Sequence, residues 1–294
     1  MWKKALGAGV GFAVGYSLYQ DIKQEMKETS ERATLMMCGD NWSRLHEKHP
    51  DKYNKHVFVG SIKDKKPTFA DSFDEDFVKH IDFEIASKFS NNLRKISSEI
   101  DKNKEISKDD KTDLVVFVES VGGEVGAVKM ICDTIDTFKQ KHNSTVYVVV
   151  DNYAFSGGSI IALTADEVMM SDFAKLSRID PQMVIFPMRH ISDETMKDTG
   201  IEGIIGKMAT GIAKDSMGTV LDVCESYIQP KYTEEEYNKI MDTFLHSDKL
   251  HVHTFNKTQC KKSGLNVSDI PKEVVTPAQI DRLGFHDLIE KEDD

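Results

Sequence analysis

Two strand–turn–helix units in succession predict an α/β fold with a mostly parallel sheet flanked by helices. In the first, the apolar run Leu114–Val118 passes through Glu119-Ser-Val-Gly122-Gly123-Glu124 into Val125, Val128, Ile131, Ile135 and Phe138 at helical spacing. In the second, the β-branched run Val146–Val150 breaks at Asp151-Asn152, and Ser156-Gly157-Gly158 leads into the apolar residues Ile160, Ile161 and Leu163. Short apolar runs bounded by turn residues read as buried strands. Strands alternating with helices read as right-handed βαβ units. In such a sheet the turns after neighbouring strands meet at its carboxyl edge, where sites are commonly built.

That arrangement brings the Gly122-Gly123 turn to face Ser156. A serine at a strand-to-helix turn exposes its hydroxyl, and the helix start leaves backbone N–H groups unpaired beside any developing oxyanion. Gly157 and Gly158 remove side chains that would block a substrate backbone. Taken alone, Ser-Gly-Gly is more often a small-residue turn that lets a helix pack on a sheet. The matching glycine turn upstream is what makes it a candidate site.

Composition excludes several function classes. A chain of 294 residues can bury a sizeable core. Its net charge of −11, with no dense Lys/Arg cluster, argues against nucleic acid as a partner. The cysteines Cys38, Cys132, Cys224 and Cys260 are scattered, with no CxxC or Cys/His ligand spacing, so neither a metal nor a cofactor is expected. Cys132 and Cys224 sit in apolar helical patterns and read as small buried hydrophobes.

Residues 1–20 are a different material. Lys3 and Lys4 precede the uncharged run Ala5–Tyr19, in which Gly7, Gly11 and Gly15 share one helix face. The run is shorter than the roughly 17–25 residues of a membrane span. A short or tilted anchor, a signal-peptide core and a soluble helix all compete. The charged, helix-favouring continuation Gln20-Asp-Ile-Lys-Gln-Glu lacks a small-residue cleavage site, which favours an uncleaved membrane anchor. The lysines would keep its end cytoplasmic. A membrane-associated location follows as the expectation.

Residues 21–112 read as an extension plus the first part of the core. Val57–Ile62 resembles a strand with a turn, and Phe77–Ile100 is mostly helical in period. His46 and His49 read as solvated, and Asp101–Thr112 as a charged loop. Downstream, Ile201–Tyr227 predicts a long helix burying Ile204, Ile205, Met208, Ile212, Val220, Cys224 and Tyr227. Thr233 with Glu236, Asn256 with Gln259 and Thr276 with Gln279 each predict a helix start. The acidic residues 290–294 read as a frayed tail.

Four segments taken together resemble one family. Val121-Gly122-Gly123, Ala154-Phe155-Ser156-Gly157-Gly158, Ala162-Leu163-Thr164-Ala165-Asp166-Glu167 and Ile179-Asp180-Pro181-Gln182 are similar to the motifs of the serine dehydrogenase proteinase family. That family is grouped with signal peptide peptidase A and the Clp-type serine proteases in the Clp/crotonase fold. The resemblance is strong over Asp113–Gln182 and patchy to Val274. This chain has Val121 where the family usually has proline, and Ser177-Arg178 where it usually has Gly-Pro. The resemblance implies a Clp/crotonase-like domain of repeated ββα units over residues 113–289. It also implies peptide or protein substrates and a ring-like or tetrameric homo-oligomer. Ser156 would be the nucleophile, with an oxyanion hole from the Gly157 N–H and that of Gly122 or Gly123.

A serine needs a base. Clp-type enzymes carry a histidine where this chain has Asp180-Pro181-Gln182. The signal peptide peptidase A branch instead uses a lysine, which serves at neutral pH when desolvation lowers its pKa. Lys197, Lys207 and Lys214 are candidates. Lys207 is preferred because it lies 51 residues after Ser156, a separation similar to that of bacterial Ser–Lys members, between Ile205 and Met208. His190, His251 and His253 are rivals, and His251 aligns with the family's Thr-His-Asp-Tyr-Pro motif. As alternate residues of a strand, His251 and His253 would share one face, but a metal site needs a further ligand. Asp180 is expected to anchor a turn or an oligomer contact, and Asp166-Glu167 to cap a helix end. Two other classes stay open: a crotonase-type acyl-CoA enzyme, which needs no serine at 156, and an inactive membrane-bound scaffold.

Overall fold

The computed structural model describes residues 35–63, 80–103, 106–107, 110–183, 186–187 and 201–280, with the backbone alone for 182–183, 186–187 and 201–210. Five parallel strands form the main sheet: β1 (His56–Lys63), β2 (Thr112–Glu119), β3 (Ser144–Val150), β5 (Glu167–Met170) and β10 (Val267–Asp269), in that spatial order. A second sheet of three short strands joins β4 (Tyr153–Ala154), β6 (Lys175–Ser177) and β9 (Thr254–Asn256), with β6 in the middle. A small antiparallel pair, β7 (Gln182–Met183) and β8 (Phe186–Pro187), follows β6.

The period of two along each strand sorts side chains onto two faces. Leu114, Val116, Val118, Val146, Val148, Val150, Val168 and Met170 point into the larger core. There they meet α2 (Phe83–Lys102), α3 (Val125–His142), α4 (Gly157–Leu163), α5 (Ile201–Val223) and α6 (Glu234–Phe244). Val115, Phe117, Tyr147, Val149 and Met169 point the other way. They are covered by α1 (residues 35–48), through Cys38, Trp42 and Leu45, and by Val274 and Ile280 near the end of the described chain. Burial on both faces explains why β2 and β3 are nearly continuous runs of valine, leucine and aromatics. Fully burying each such side chain contributes about 1.5–3 kcal/mol.

The ends of the helices follow local chemistry. Asp82 caps α2 by accepting the Ile85 N–H at 2.8 Å. Asn143 closes α3 in the left-handed region at φ 48°. The capping boxes at Thr233/Glu236 and Asn256/Gln259 both form, the second opening α7 (Lys257–Lys262). Thr276 and Gln279 exchange the same pair of bonds, at 2.9 and 3.2 Å. All four cysteines are buried and free.

Three expectations are corrected. Gly60 makes no turn, since β1 runs straight through it. The glycine instead leaves room for Phe89, whose ring a Cβ would meet at 3.0 Å. Ile212 is 51% exposed. The buried face of α5 passes through Ala213 and Val220 to Cys224, with Met217 partly covered, and Ile212 stands about 100° from that line. His251 and His253 share no strand face, because β9 begins only at Thr254. His251 turns to Asp180 and His253 to Lys249 and Phe255. Among the described residues no group of three or more His, Cys, Asp or Glu could hold a metal ion.

Candidate active site

The carboxyl ends of β2 and β3 carry the two glycine turns, and backbone pairing locks them together. The Ser120 N–H donates to Tyr153 O at 3.3 Å, and the Phe155 N–H returns a bond to Ser120 O at 2.8 Å. This parallel bridge sets the residues after Ser120 beside those after Ala154. A third segment arrives from far upstream. The Ile81 N–H donates to Gly122 O at 2.7 Å, and Ile81 O accepts the Glu124 N–H at 2.8 Å.

That third contact decides which way Gly123 points. Gly122 O and the Glu124 N–H both face Ile81, so the intervening Gly123 N–H is turned to the opposite side, toward Ser156. The Gly122 N–H is taken by Ser120 Oγ at 3.0 Å. The Gly157 N–H is at the first position of α4, where no helical acceptor exists. A Cβ built on Gly157 would lie 3.3 Å from Gly123 N, so the two amides are neighbours. Neither has an acceptor among the described residues.

Close approach makes the glycines obligatory. A Cβ on Gly122 would sit 2.7 Å from Ser156 Cβ and 2.9 Å from Gly157 N, and Gly122 has φ +106°. A Cβ on Gly123 would sit 2.0 Å from Ile81 O. Ser156 itself adopts φ 49°, ψ −115°, a conformation that a non-glycine residue rarely takes. Such a backbone costs of order 1–3 kcal/mol and persists only where its surroundings over-determine it. Here they do. The Gly158 N–H bonds to Phe155 O at 2.8 Å, the Ile160 N–H to Ser156 O at 3.0 Å, and the Ser156 N–H to Ser177 Oγ at 2.7 Å. The serine side chain is left half-buried at the head of a helix whose every residue is buried.

The other residues singled out from the sequence fall in different places. Asp180 is fully buried. Arg178 Nε lies 3.0 Å from one of its oxygens, and His251 Nδ1 lies 3.1 Å from the same oxygen. The Arg178 guanidinium, equally buried, donates to Leu245 O at 2.5 Å and to the carbonyls of Ser247 and Lys249. Asp180 therefore anchors the 245–251 loop. Asp166 receives the Val146 N–H at 2.8 Å and pairs with Lys139, while Glu167 pairs with Lys52, so these carboxylates have structural partners. Lys214 is exposed on α5. Lys207 belongs to the α5 backbone, but its side chain lies outside the described residues, as do Lys197 and His190.

Sequence reasoning missed three supporting residues. Ser177 and Arg178, the two departures from the usual Gly-Pro, both enter hydrogen bonds around the site. Lys231 closes α4 at its far end, donating to Leu163 O at 3.0 Å and Ala165 O at 2.6 Å. Nothing local in the sequence marks it, because its acceptors come from a distant segment.

A profile of the ClpP-like SDH-type serine proteinase family matches residues 94–281, well over half of the chain. The chain belongs to this family. Both glycine turns, Ser156 and the Arg178–Asp180 segment lie inside the matched region. An uncharacterized protein of Methanocaldococcus jannaschii is 28% identical over 172 residues, covering 58% of each chain. A second uncharacterized protein of that organism is 24% identical over 161 residues, covering 51% of each. The chain thus spans little more than half the length of the curated relatives it matches.

Burial pushes the Lys231 ammonium down to about 7, against the opposing pull of Asp166. Its folded-state pKa therefore lies below the ordinary lysine value. Between about pH 7 and that value the unfolded chain binds a proton that the folded chain does not, so stability rises with pH across this window. Denaturant titrations at a series of pH values from 7 to 10 should show this slope in the wild type and a flatter one in Lys231→Met.

Proposed function

We propose that the protein is a serine endopeptidase acting on extended peptide segments, with Ser156 as nucleophile. One observation carries this reading: two neighbouring backbone N–H groups, of Gly123 and Gly157, lack acceptors among the described residues and flank a serine held in a strained turn. Membership of a serine proteinase family supports it.

In the proposed reaction, Ser156 Oγ attacks the peptide carbonyl carbon and its proton passes to Lys207 Nζ. The carbonyl oxygen becomes an oxyanion bonded to the Gly123 and Gly157 N–H groups. Gly122 contributes conformation and close approach, its own N–H being held by Ser120. Collapse breaks the C–N bond, and the Lys207 ammonium protonates the leaving amine. Water, deprotonated by Lys207, then hydrolyses the acyl ester and releases the carboxylic acid. Asp180 is a poor partner for any of these steps, since Arg178 and His251 occupy its carboxylate. The way Ser177 and Arg178 are bonded into the turn and the adjoining loop favours an intact site over a decayed scaffold.

Substrate processing by a homo-oligomer and anchoring through residues 1–20 belong to the same proposal. Those residues lie outside the described ones. Among the described residues no helix is long and apolar enough to cross a membrane.

The test compares wild type with Ser156→Ala and Lys207→Met on casein and apolar peptides, with folding checked by circular dichroism. Both variants should lose activity by at least about 10³-fold while staying folded. Equal activity in wild type and Ser156→Ala would exclude the peptidase reading. Thioester turnover that survives Ser156→Ala would move the protein to the acyl-CoA class, and full activity in Lys207→Met would remove the lysine from the mechanism. For the anchor, carbonate extraction of membranes should leave the full chain in the pellet and release a chain starting after residue 20. Full release of both would contradict it.

A further inference from the structure

The strained Ser156 turn is fixed from the side by a hydroxyl relay that joins the start of α4 to the small three-stranded sheet. Ser159 Oγ donates to Ala154 O at 2.6 Å and accepts the Ser177 N–H at 2.8 Å. Ser177 Oγ donates to Arg178 O at 3.1 Å and accepts the Ser156 N–H at 2.7 Å. Ser159 is fully buried and Ser177 is 3% exposed. Ser177 ends β6, the middle strand of the small sheet, and is followed directly by Arg178, whose guanidinium is fastened to three carbonyls of the 245–249 segment. The acceptor for the Ser156 N–H is therefore mounted on a rigid element.

We propose that Ser177 is a positioning residue for the nucleophile, holding the Ser156 backbone in the conformation that directs its hydroxyl to the substrate carbonyl. This rests on the peptidase reading above. The chemistry is specific to a hydroxyl at 177. The Ser156 N–H must go somewhere, and at φ 49° it points to β6. An amide aimed at the 3%-exposed Ser177 and left without its acceptor is unfavourable, so without Ser177 Oγ the turn relaxes toward other backbone angles. Alanine or glycine at 177 removes the acceptor, whereas threonine keeps it. By taking this N–H, Ser177 also leaves the Gly123 and Gly157 amides as the donors that face the reacting atoms.

The experiment uses full-length wild type, Ser177→Ala, Ser177→Gly and Ser177→Thr, with Ser156→Ala as the blank. Three quantities are read: kcat and KM on a peptide, the rate of labelling by a fluorophosphonate probe, and amide hydrogen exchange in fragments spanning residues 153–163. Loss of the hydrogen bond to the half-buried Ser156 amide predicts a fall of about tenfold in kcat and labelling for Ser177→Ala and Ser177→Gly, with KM unchanged. Exchange in the fragment should quicken in step. Ser177→Thr should recover both the rate and the protection. Unchanged exchange and unchanged kcat in Ser177→Ala would overturn the proposal. Faster exchange with an unchanged labelling rate would show that Ser177 acts on stability alone, which also overturns it. Should a variant fail to fold, the threonine and glycine proteins still divide the outcomes. Failure of the wild type itself to label at Ser156 would refute the peptidase reading and, with it, the positioning role. An exchange difference that persisted in that case would mark Ser177 as a structural clamp only.

Discussion

The close approach of two turns governs the rest of this structure. Gly122 and Ser156 are so near that a single methyl group at 122 would overlap the serine Cβ. Nothing but glycine fits there, and the positive φ of Gly122 adds a second reason. From this contact follow the neighbouring position of the Gly157 N–H and the strained angles of Ser156, while the Ile81 backbone sets the direction of the Gly123 N–H. The main sheet serves to bring β2 and β3 side by side with matched ends. Ile81 then pins the outer side of the first turn, and Ser177 pins the outer side of the second.

Charge is handled differently in the neighbouring segment. Arg178 and Asp180 are both fully buried, and a buried ion pair is often no more stable than an apolar substitute. What this pair supplies is placement. The guanidinium gathers three carbonyls, and the carboxylate holds His251, so the loop after α6 is drawn against the end of β6. The same strand end carries Ser177. Arg178 thus links the loop to the strand end whose Ser177 accepts the Ser156 N–H.

Much of this was legible in the sequence, for physical reasons that differ by element. β2 and β3 are buried on both faces, so their apolar runs were unambiguous. The capping residues Thr233, Asn256 and Thr276 act within three residues of themselves and were equally readable. The facing of Ser156 and the Gly-Gly turn followed from parallel-sheet topology. The choice between the Gly122 and Gly123 amides did not, because it depends on Ile81, which reads as part of a helical period over Phe77–Ile100 but lies before α2 and bridges Gly123 instead. Gly60 reads locally as a turn residue and is in fact the seat of Phe89. Ile212 is apolar and at helical spacing, yet one residue off the line that faces the core. Ser177 and Arg178 showed only as departures from a family pattern. Their roles rest on partners 21 and roughly 70 residues away.

The account stands on the claim that the Gly123 and Gly157 amides bind the oxygen of a group attached to Ser156. The most direct measurement is a crystal structure of the full-length protein after reaction with a peptidyl phosphonate. The account predicts phosphorus bonded to Ser156 Oγ, with the phosphoryl oxygen within hydrogen-bond distance of both amide nitrogens. An adduct on another residue, or a phosphoryl oxygen turned away from both amides, would contradict it.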